Sequence, residues 1–579
     1  MKRYLLILIS LFISVASSYA VRARGGWHEV CQSDGSKLSV MLCGDEWLHY
    51  FITRDGLPLV QTGAGDFCYA DCNGFSLRPW GVLAHEAEDR TLAEQRHIAT
   101  LGSADNVEYL ANLRRAQANS RRLERQGDFR GKYRGLVILA SFPDRPFSQD
   151  DPKAFYQRMF NEEGFSDYGA TGSVRDYFLD QSNGQFNLTF DVVGPVCATR
   201  ASTQYPSDYV RRYLIPEIVR AVEDSVDMKD YDWDGDGTVD QVMVLYAGYS
   251  SSDYVPNDSS TYAAKNAIWP HEWTLSSSLY IDGMRIYTYA CSNELWITNE
   301  PAGMGTFCHE FSHCLGLPDL YDTNYTSNGS SPNGGIMDAW ELMDGGNYNN
   351  SGWTPCGYSG FERELSGWQE ATLLDSPTTV SGMAPLNEGG AIYKIVNECS
   401  LKSVDEFYML ENRQQTGWDS YLPGHGLLVT HVDYSQSVWN SNTVNANLNR
   451  LRQVFIPADN NLWGYYYNLE KLTHAAYPYI DNEKGICNDS LTNTSIPAAT
   501  VYNKNIQGTM LMSKPITSIT EDAATGTVGF LFMGGESTRV GNPPASIPSV
   551  SGKCFDLTGR RATNRLGLII DNQRRKIFR

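Results

Sequence analysis

Past its first twenty residues the chain lacks any apolar run long enough to cross a bilayer, so no membrane span is expected in the mature protein. Positive charge is scarce. Lys and Arg total 47 against 67 Asp and Glu, a formal net charge of −20. That balance excludes a polyanionic nucleic-acid partner and favours solubility. No repeat of fixed period is present, which excludes solenoids and propellers. Twelve Cys are too few for a chain of 579 residues to depend on disulfides, although an exported chain permits them. Cys31, Cys43, Cys68 and Cys72 lie before residue 100, and their pairing is not deducible from sequence.

What is present indicates a large folded protein. The chain is 42% hydrophobic and 12% aromatic, and its length allows three or four domains. Lys2 and Arg3 precede a short apolar stretch from Leu5 to Ala16, and Ser18-Tyr19-Ala20 supplies a small-x-Ala cleavage site. This pattern predicts a signal peptide over 1–20, a mature protein starting near Val21, and a secreted or cell-surface location. A short uncleaved anchor is the alternative reading.

The segment His309-Glu-Phe-Ser-His-Cys-Leu-Gly-Leu-Pro-Asp319 reads HExxHxxGxxD. On a helix, His309 and His313 are one turn apart on the same face, and both imidazoles can grip one Zn²⁺. Glu310 sits beside the first ligand, placed as a general base toward the attacking water. Gly316 lets the chain leave the helix. Asp319 can return as a third zinc ligand, with Asp322 or Glu341 as alternatives, and the fourth position stays open, as a catalytic zinc requires. Two ordinary histidines on an amphipathic helix are the bland alternative. Cys308 and Cys314 bracket this helix and read as small buried residues or a local redox feature, since thiolate ligands would close the site.

A second constellation, Asp232-Trp-Asp-Gly-Asp-Gly-Thr-Val-Asp240, places Asp232, Asp234, Asp236 and Asp240 around a sharp turn, with Thr238 offering its carbonyl. The pattern predicts a structural Ca²⁺. The bidentate Glu of an EF-hand is missing, because Met243 stands at position 12, and a metal-free acidic turn is the alternative. Met343 in IMDAWELMDGG is the candidate for a methionine turn beneath the metal, with Met337 as runner-up and a plain core Met as the alternative. Tyr348 and Tyr358 are both candidates for oxyanion stabilisation, and no spacing selects between them. His271, His431 and Glu294 read as structural.

Composition shifts divide the chain. Residues 21–131 form a β-rich unit followed by a polar, Arg-rich helical linker, where Arg121, Arg122, Arg125 and Arg130 offer cleavage points to an activating protease; a solvated charged face is the equal alternative. Residues 132–369 hold the zinc motif between buried strands (GLVILASFPD, VDQVMVLYAGYS) and amphipathic helices (GSVRDYFLDQSNGQF, VRRYLIPEIVRAVEDSV). Residues 370–535 return to short alternating strands, 536–550 form a linker, and 551–579 form a basic tail.

Taken together, GTFCHEFSHCLGLPDLYD, SVRDYFLDQSNGQF, DWDGDGTVDQVMVLYAGY, AIWPHEW, MDAWELMDGG and FYMLENRQQTGWDSYLPGHGLLVTHVD resemble the immune inhibitor A family of secreted bacterial metallopeptidases, over roughly residues 130–460. The resemblance implies zinc ligands His309, His313 and Asp319, the catalytic base Glu310, and a Ca²⁺-associated acidic loop. The first hundred mature residues resemble the pro-regions of such enzymes, and the last thirty resemble, more loosely, sorting tails of the type IX export route. Ser312 stands where the family usually has Gly, and Gly345 where some metzincins carry Tyr. The expectation is an α+β, zincin- or metzincin-like secreted zinc endopeptidase, made as a zymogen and acting on proteins or peptides. A surface adhesin with a relic zinc site and a zinc hydrolase of a non-peptide bond remain the alternatives.

Overall fold

The computed structural model describes residues 21–535, apart from 25, 47, 73–75, 101–106, 108–109, 111–128, 258–263, 325–335, 462–471 and 484, together with 568–570 and 576–578. The leader, most of the Arg-rich linker (Arg121, Arg122 and Arg125 among it), the 536–550 linker and most of the tail lie outside the described residues.

Strands β1 (His28–Cys31), β2 (Lys37–Gly44), β3 (His49–Ile52), β4 (Pro58–Gln61), β5 (Phe67–Cys72) and β6 (Leu77–Leu83) pair antiparallel in chain order as a six-stranded meander. Alternation sets the pairing: Leu38, Val40 and Leu42 of β2 face one core with Phe51, Leu59 and Phe67, while Met41 and Cys43 face another with Tyr50 and Ile52.

The central sheet contains β7 (Gly131–Ser141), β8 (Phe186–Cys197), β9 (Val242–Tyr249), β10 (His271–Ile281) and β11 (Met284–Leu295), in the order β10-β11-β9-β7-β8. All neighbours are parallel except β10, which runs antiparallel at one edge. Apolar runs mark β7 and β9 as inner strands. In β7, Val137 and Leu139 face one core while Leu136, Ile138 and Ala140 face the other, so both sides of the sheet must be covered.

Helices Pro152–Asn161, Val174–Gln181 and Gly305–Cys314 cover the first face, and Ile215–Ala221 covers the second. Helix Val174–Gln181 starts on a capping box between Ser173 and Asp176. It ends before Asn183 (φ 52°) and Gly184 (φ 78°), as the Asn-Gly pair predicts. The amphipathic stretch before residue 222 is less regular than its periodicity suggests. Pro216 has no N–H to offer the carbonyl one turn back, and the preceding Val210–Leu214 is wound as a π-helix.

Downstream, β12 (Thr372–Leu373), β14 (Tyr393–Val396), β15 (Asp405–Arg413), β16 (Gly426–Tyr434) and β17 (Gln453–Phe455) form a five-stranded sheet in that order. A three-stranded sheet joins β13 (Thr378–Met383), β21 (Thr527–Phe532) and β20 (Ile516–Asp522). Two further hairpins pair β18 (Tyr479–Asp481) with β19 (Ile486–Asn488), and β22 (Leu568–Ile570) with β23 (Lys576–Phe578). The last hairpin belongs to a separate unit, Glu536–Arg579. The protein is thus mixed α/β with several sheets. Among the described residues no helix is long and apolar enough to cross a membrane.

One buried ionic network ties β15 to the central region. Arg413 is fully buried and meets Asp419 through both Nε (2.9 Å) and a terminal nitrogen (2.8 Å), and Glu411 at 3.0 Å. Its remaining donors reach the carbonyls of Gly357 and Trp340. A buried guanidinium is tolerated because each donor is directed at an oxygen.

Candidate metal centre and its cleft

Helix Gly305–Cys314 is buried on every side. Phe307 and Phe311, one turn apart, point to the central sheet and meet Phe190 at ring-centroid distances of 5.6 and 5.7 Å. His309 and His313 lie two residues out of phase and so project from the opposite face. The helix stops where Gly316 takes φ 97°, with Leu317 N donating to Ser312 O at 3.2 Å. That reversal carries Asp319 back over the two imidazoles.

The three side chains converge. One ligand atom each from His309, His313 and Asp319 lies within 4.8 Å of the others, and all three residues are buried. The Nε2 atoms of the two histidines are 3.1 Å apart, and they stand 3.2 and 3.4 Å from Asp319 Oδ1. Each Nδ1 faces a backbone carbonyl, Leu342 O at 2.9 Å for His309 and Leu317 O at 2.7 Å for His313. Donation to those carbonyls places the ring proton on Nδ1 and turns both Nε2 lone pairs toward each other and toward the carboxylate. Three electron-rich atoms facing each other out of water repel unless a cation sits among them, and imidazole and carboxylate suit a borderline divalent metal such as zinc. The donor set therefore fits the expected metal. Burial pushes the His313 pKa down.

The other proposed third ligands stand elsewhere. Glu341 belongs to a buried carboxylate group with Glu362 and Glu411 beside Arg413, and burial followed by Glu362 pushes its pKa up. Asp322 Oδ1 accepts the Asn324 N–H at 2.8 Å. Neither falls in the histidine cluster. A partner that spacing did not reveal is Asn442. Its Nδ2 donates to Asp319 Oδ2 at 2.6 Å and its Oδ1 accepts the Asp319 N–H at 2.8 Å. It lies 123 residues downstream, and no local pattern marks it.

Residues 336–346 wrap under the helix. Leu342 supplies the carbonyl for His309, and Met343 O accepts Leu320 N–H at 2.9 Å. Met337 and Met343 are both fully buried. Ser312 is accommodated by bonding back to Cys308 O at 2.6 Å and by meeting the Tyr358 hydroxyl. Tyr358 is thereby held in the core, stacked on Trp368, whereas the Tyr348 hydroxyl opens onto the cleft. Cys308 and Cys314 stand outside the ligand cluster. Glu294 accepts bonds from Ser148 and Gly248, His271 bridges Trp269 O and the Tyr289 hydroxyl, and His431 pairs with Glu406 across β15 and β16.

In the acidic loop, Asp232, Asp234 and Asp240 can bring one oxygen each together. Asp236 and Thr238 stand outside that group, Asp236 Oδ1 accepting the Thr238 N–H at 2.7 Å.

The cleft holds residues of the N-terminal segment. Val21 N donates to Glu310 Oε1 at 2.9 Å, and Trp269 Nε1 donates to Val21 O at 2.8 Å. Tyr348 donates its hydroxyl to Arg22 O at 2.8 Å. Arg22 is 3% exposed and pairs with Asp338 and Asp344, each at 3.2 Å. Burial pushes the Asp344 carboxyl up to about 6, against the pull of Arg22. The loop after β2 follows: Ala23 N donates to Gly44 O at 2.7 Å, and His49 stacks on Trp269. Glu46 is buried and held above the usual carboxylate range by burial first, then by Asp45, Asp319 and Glu310. Glu310 is likewise held up by burial, with the Val21 N–H partly offsetting it.

Comparison with known proteins agrees with the motifs. Residues 135–370 match the family described as immune inhibitor A peptidase M6, catalytic domain. The chain is 26% identical over 285 residues to "Immune inhibitor A" of Bacillus thuringiensis subsp. alesti, covering 41% of this chain and 40% of that protein. It is 25% identical over 257 residues to "Pre-pro-metalloprotease PrtV" of Vibrio cholerae serotype O1 (strain M66-2), covering 37% and 27%. The chain thus spans well under half the length of these curated relatives. The resemblance to the immune inhibitor A family is borne out over residues 135–370.

Replacing Asn442 with Ala is expected to weaken zinc binding about 10–100-fold, because Asp319 loses the amide that orients it. Competition with a chromophoric chelator measures this, and an unchanged zinc affinity would contradict the assigned role.

Proposed function

We propose that the chain is a secreted zinc endopeptidase made in a latent form, with a zincin-like catalytic region over about residues 132–369. The observation that carries this reading is the convergence of His309, His313 and Asp319 beside Glu310 in a cleft already occupied by a peptide segment. The family match and the metalloprotease relative support the chemistry. Met343 is proposed as the methionine turn, on the strength of its place next to the carbonyl that holds His309.

Zinc bound by His309, His313 and Asp319 would supply a Lewis acid and lower the pKa of water. Glu310 takes the proton from the attacking water and delivers it to the leaving amine, so no covalent enzyme intermediate forms. Burial raises the Glu310 pKa, which favours the form that carries the proton between the two transfers. Trp269 and Tyr348 present donors that grip an extended backbone, as they now grip Val21 and Arg22.

The latent form follows from the same contacts. Val21 and Arg22 fill the cleft, Gly44 of the meander β1–β6 accepts from the next residue, Ala23, and His49 stacks on the Trp269 that bonds Val21 O. A substrate cannot reach Glu310 while they stay, so cleavage in the 121–134 stretch is proposed to release them. Calcium is proposed at Asp232, Asp234 and Asp240, with Asp236 and Thr238 completing the shell after rearrangement.

Full-length protein nicked between Arg121 and Arg134 should hydrolyse casein, and the uncut protein should not. Glu310→Gln should lower the nicked protein's kcat by about 10²–10⁴-fold while zinc content stays unchanged. Comparable activity before and after nicking would sink the latency reading, and an active Glu310→Gln protein would sink the mechanism. Millimolar calcium should raise Tm by about 2–4 °C, and the rise should vanish in Asp234→Ala. A calcium-independent Tm would remove the calcium assignment.

A further inference from the structure

We propose that the pocket occupied by Arg22 is a substrate subsite that selects arginine at the second position after the cleaved bond; this deepens, and rests on, the peptidase reading above. In peptide hydrolysis the nitrogen that receives the proton from Glu310 is the leaving amine. Val21 N is hydrogen-bonded to Glu310 at 2.9 Å and so stands where that nitrogen stands. Val21 then occupies the place of the first residue after the scissile bond, and Arg22 that of the second. The backbone contacts fit this register. Trp269 holds the Val21 carbonyl, Tyr348 holds the Arg22 carbonyl, and Arg24 N donates to Ser252 O at 3.1 Å. None of these depends on the side chain carried, so any extended peptide can use them.

The side-chain pocket is specific. Asp338 Oδ1 meets a terminal guanidinium nitrogen and Asp344 Oδ1 meets Nε, both at 3.2 Å. Asp344 does not depend on Arg22 for its position, because its other oxygen accepts the N–H groups of Ile336, Met337 and Asp338 at 2.8–2.9 Å. Asp344 is therefore already in place when the segment leaves. Gly345 forms its floor: a Cβ there would stand 2.2 Å from the guanidinium nitrogen. Two carboxylates in different directions suit the charge spread over a guanidinium better than the single ammonium of Lys. An uncharged occupant would leave both carboxylates buried without a cation, a strong source of discrimination.

The test uses full-length protein nicked between Arg121 and Arg134 and loaded with zinc. Binding of labelled Val-Arg-Ala-Arg and Val-Leu-Ala-Arg to its Glu310→Gln variant is measured by fluorescence anisotropy. The Arg peptide should bind at least about tenfold more tightly, and equal affinities overturn the proposal. Cleavage of peptide pairs differing only in Arg or Leu at the second position after the bond gives the second readout. The kcat/KM ratio should favour Arg at least about tenfold, and should fall toward unity in Gly345→Ala and in Asp338→Asn. A ratio unchanged in both variants overturns the assignment of the pocket. A binding preference for Arg without hydrolysis of any peptide supports the arginine pocket and overturns the peptidase reading instead.

Discussion

Two buried imidazole nitrogens facing one carboxylate oxygen form a donor set that a bound metal cation satisfies. Much of the surrounding structure keeps that arrangement in place. Phe307 and Phe311 fix the roll of the helix against the sheet, which sets the direction of His309 and His313. Leu342 and Leu317 fix the ring protons, and Asn442 fixes the carboxylate. These supports come from four separated parts of the chain, so the centre is a property of the tertiary fold rather than of the helix alone.

The cleft beside it is shaped for an extended peptide, and the chain's own residues 21–24 show how such a peptide lies. One set of donors, Trp269 and Tyr348, holds residues 21 and 22 and, in our account, serves both a latent state and the substrate. The acidic wall of Asp338 and Asp344 then has a consequence for both: a segment that blocks the cleft well is one that looks like a good substrate.

Much of this was legible in the sequence because the relevant spacing is local. The i,i+4 histidines, the glycine that ends the helix and the aspartate three residues later lie within eleven residues, where helix geometry relates the two histidines and the glycine lets the aspartate return. The buried strands β7 and β9 were equally legible from their apolar runs. Long-range contacts were not. Asn442 and Trp269 carry no periodic signal, and nothing in VRAR marks residues 21–24 as occupants of a cleft near residue 310. Tyr348 and Tyr358 were indistinguishable as letters. Only the fold places one hydroxyl on Ser312 and the other on the cleft. Pro216 was readable as a residue without an N–H, but the π-turn that accommodates it was not.

The most direct test of the central claim is crystallographic: diffraction from the zinc-loaded protein on either side of the zinc absorption edge. The account predicts an anomalous peak between His309 Nε2, His313 Nε2 and Asp319, within bonding distance of all three. A peak ligated by Asp322 or Glu341, or no peak at the two histidines in protein that retains stoichiometric zinc, would contradict it.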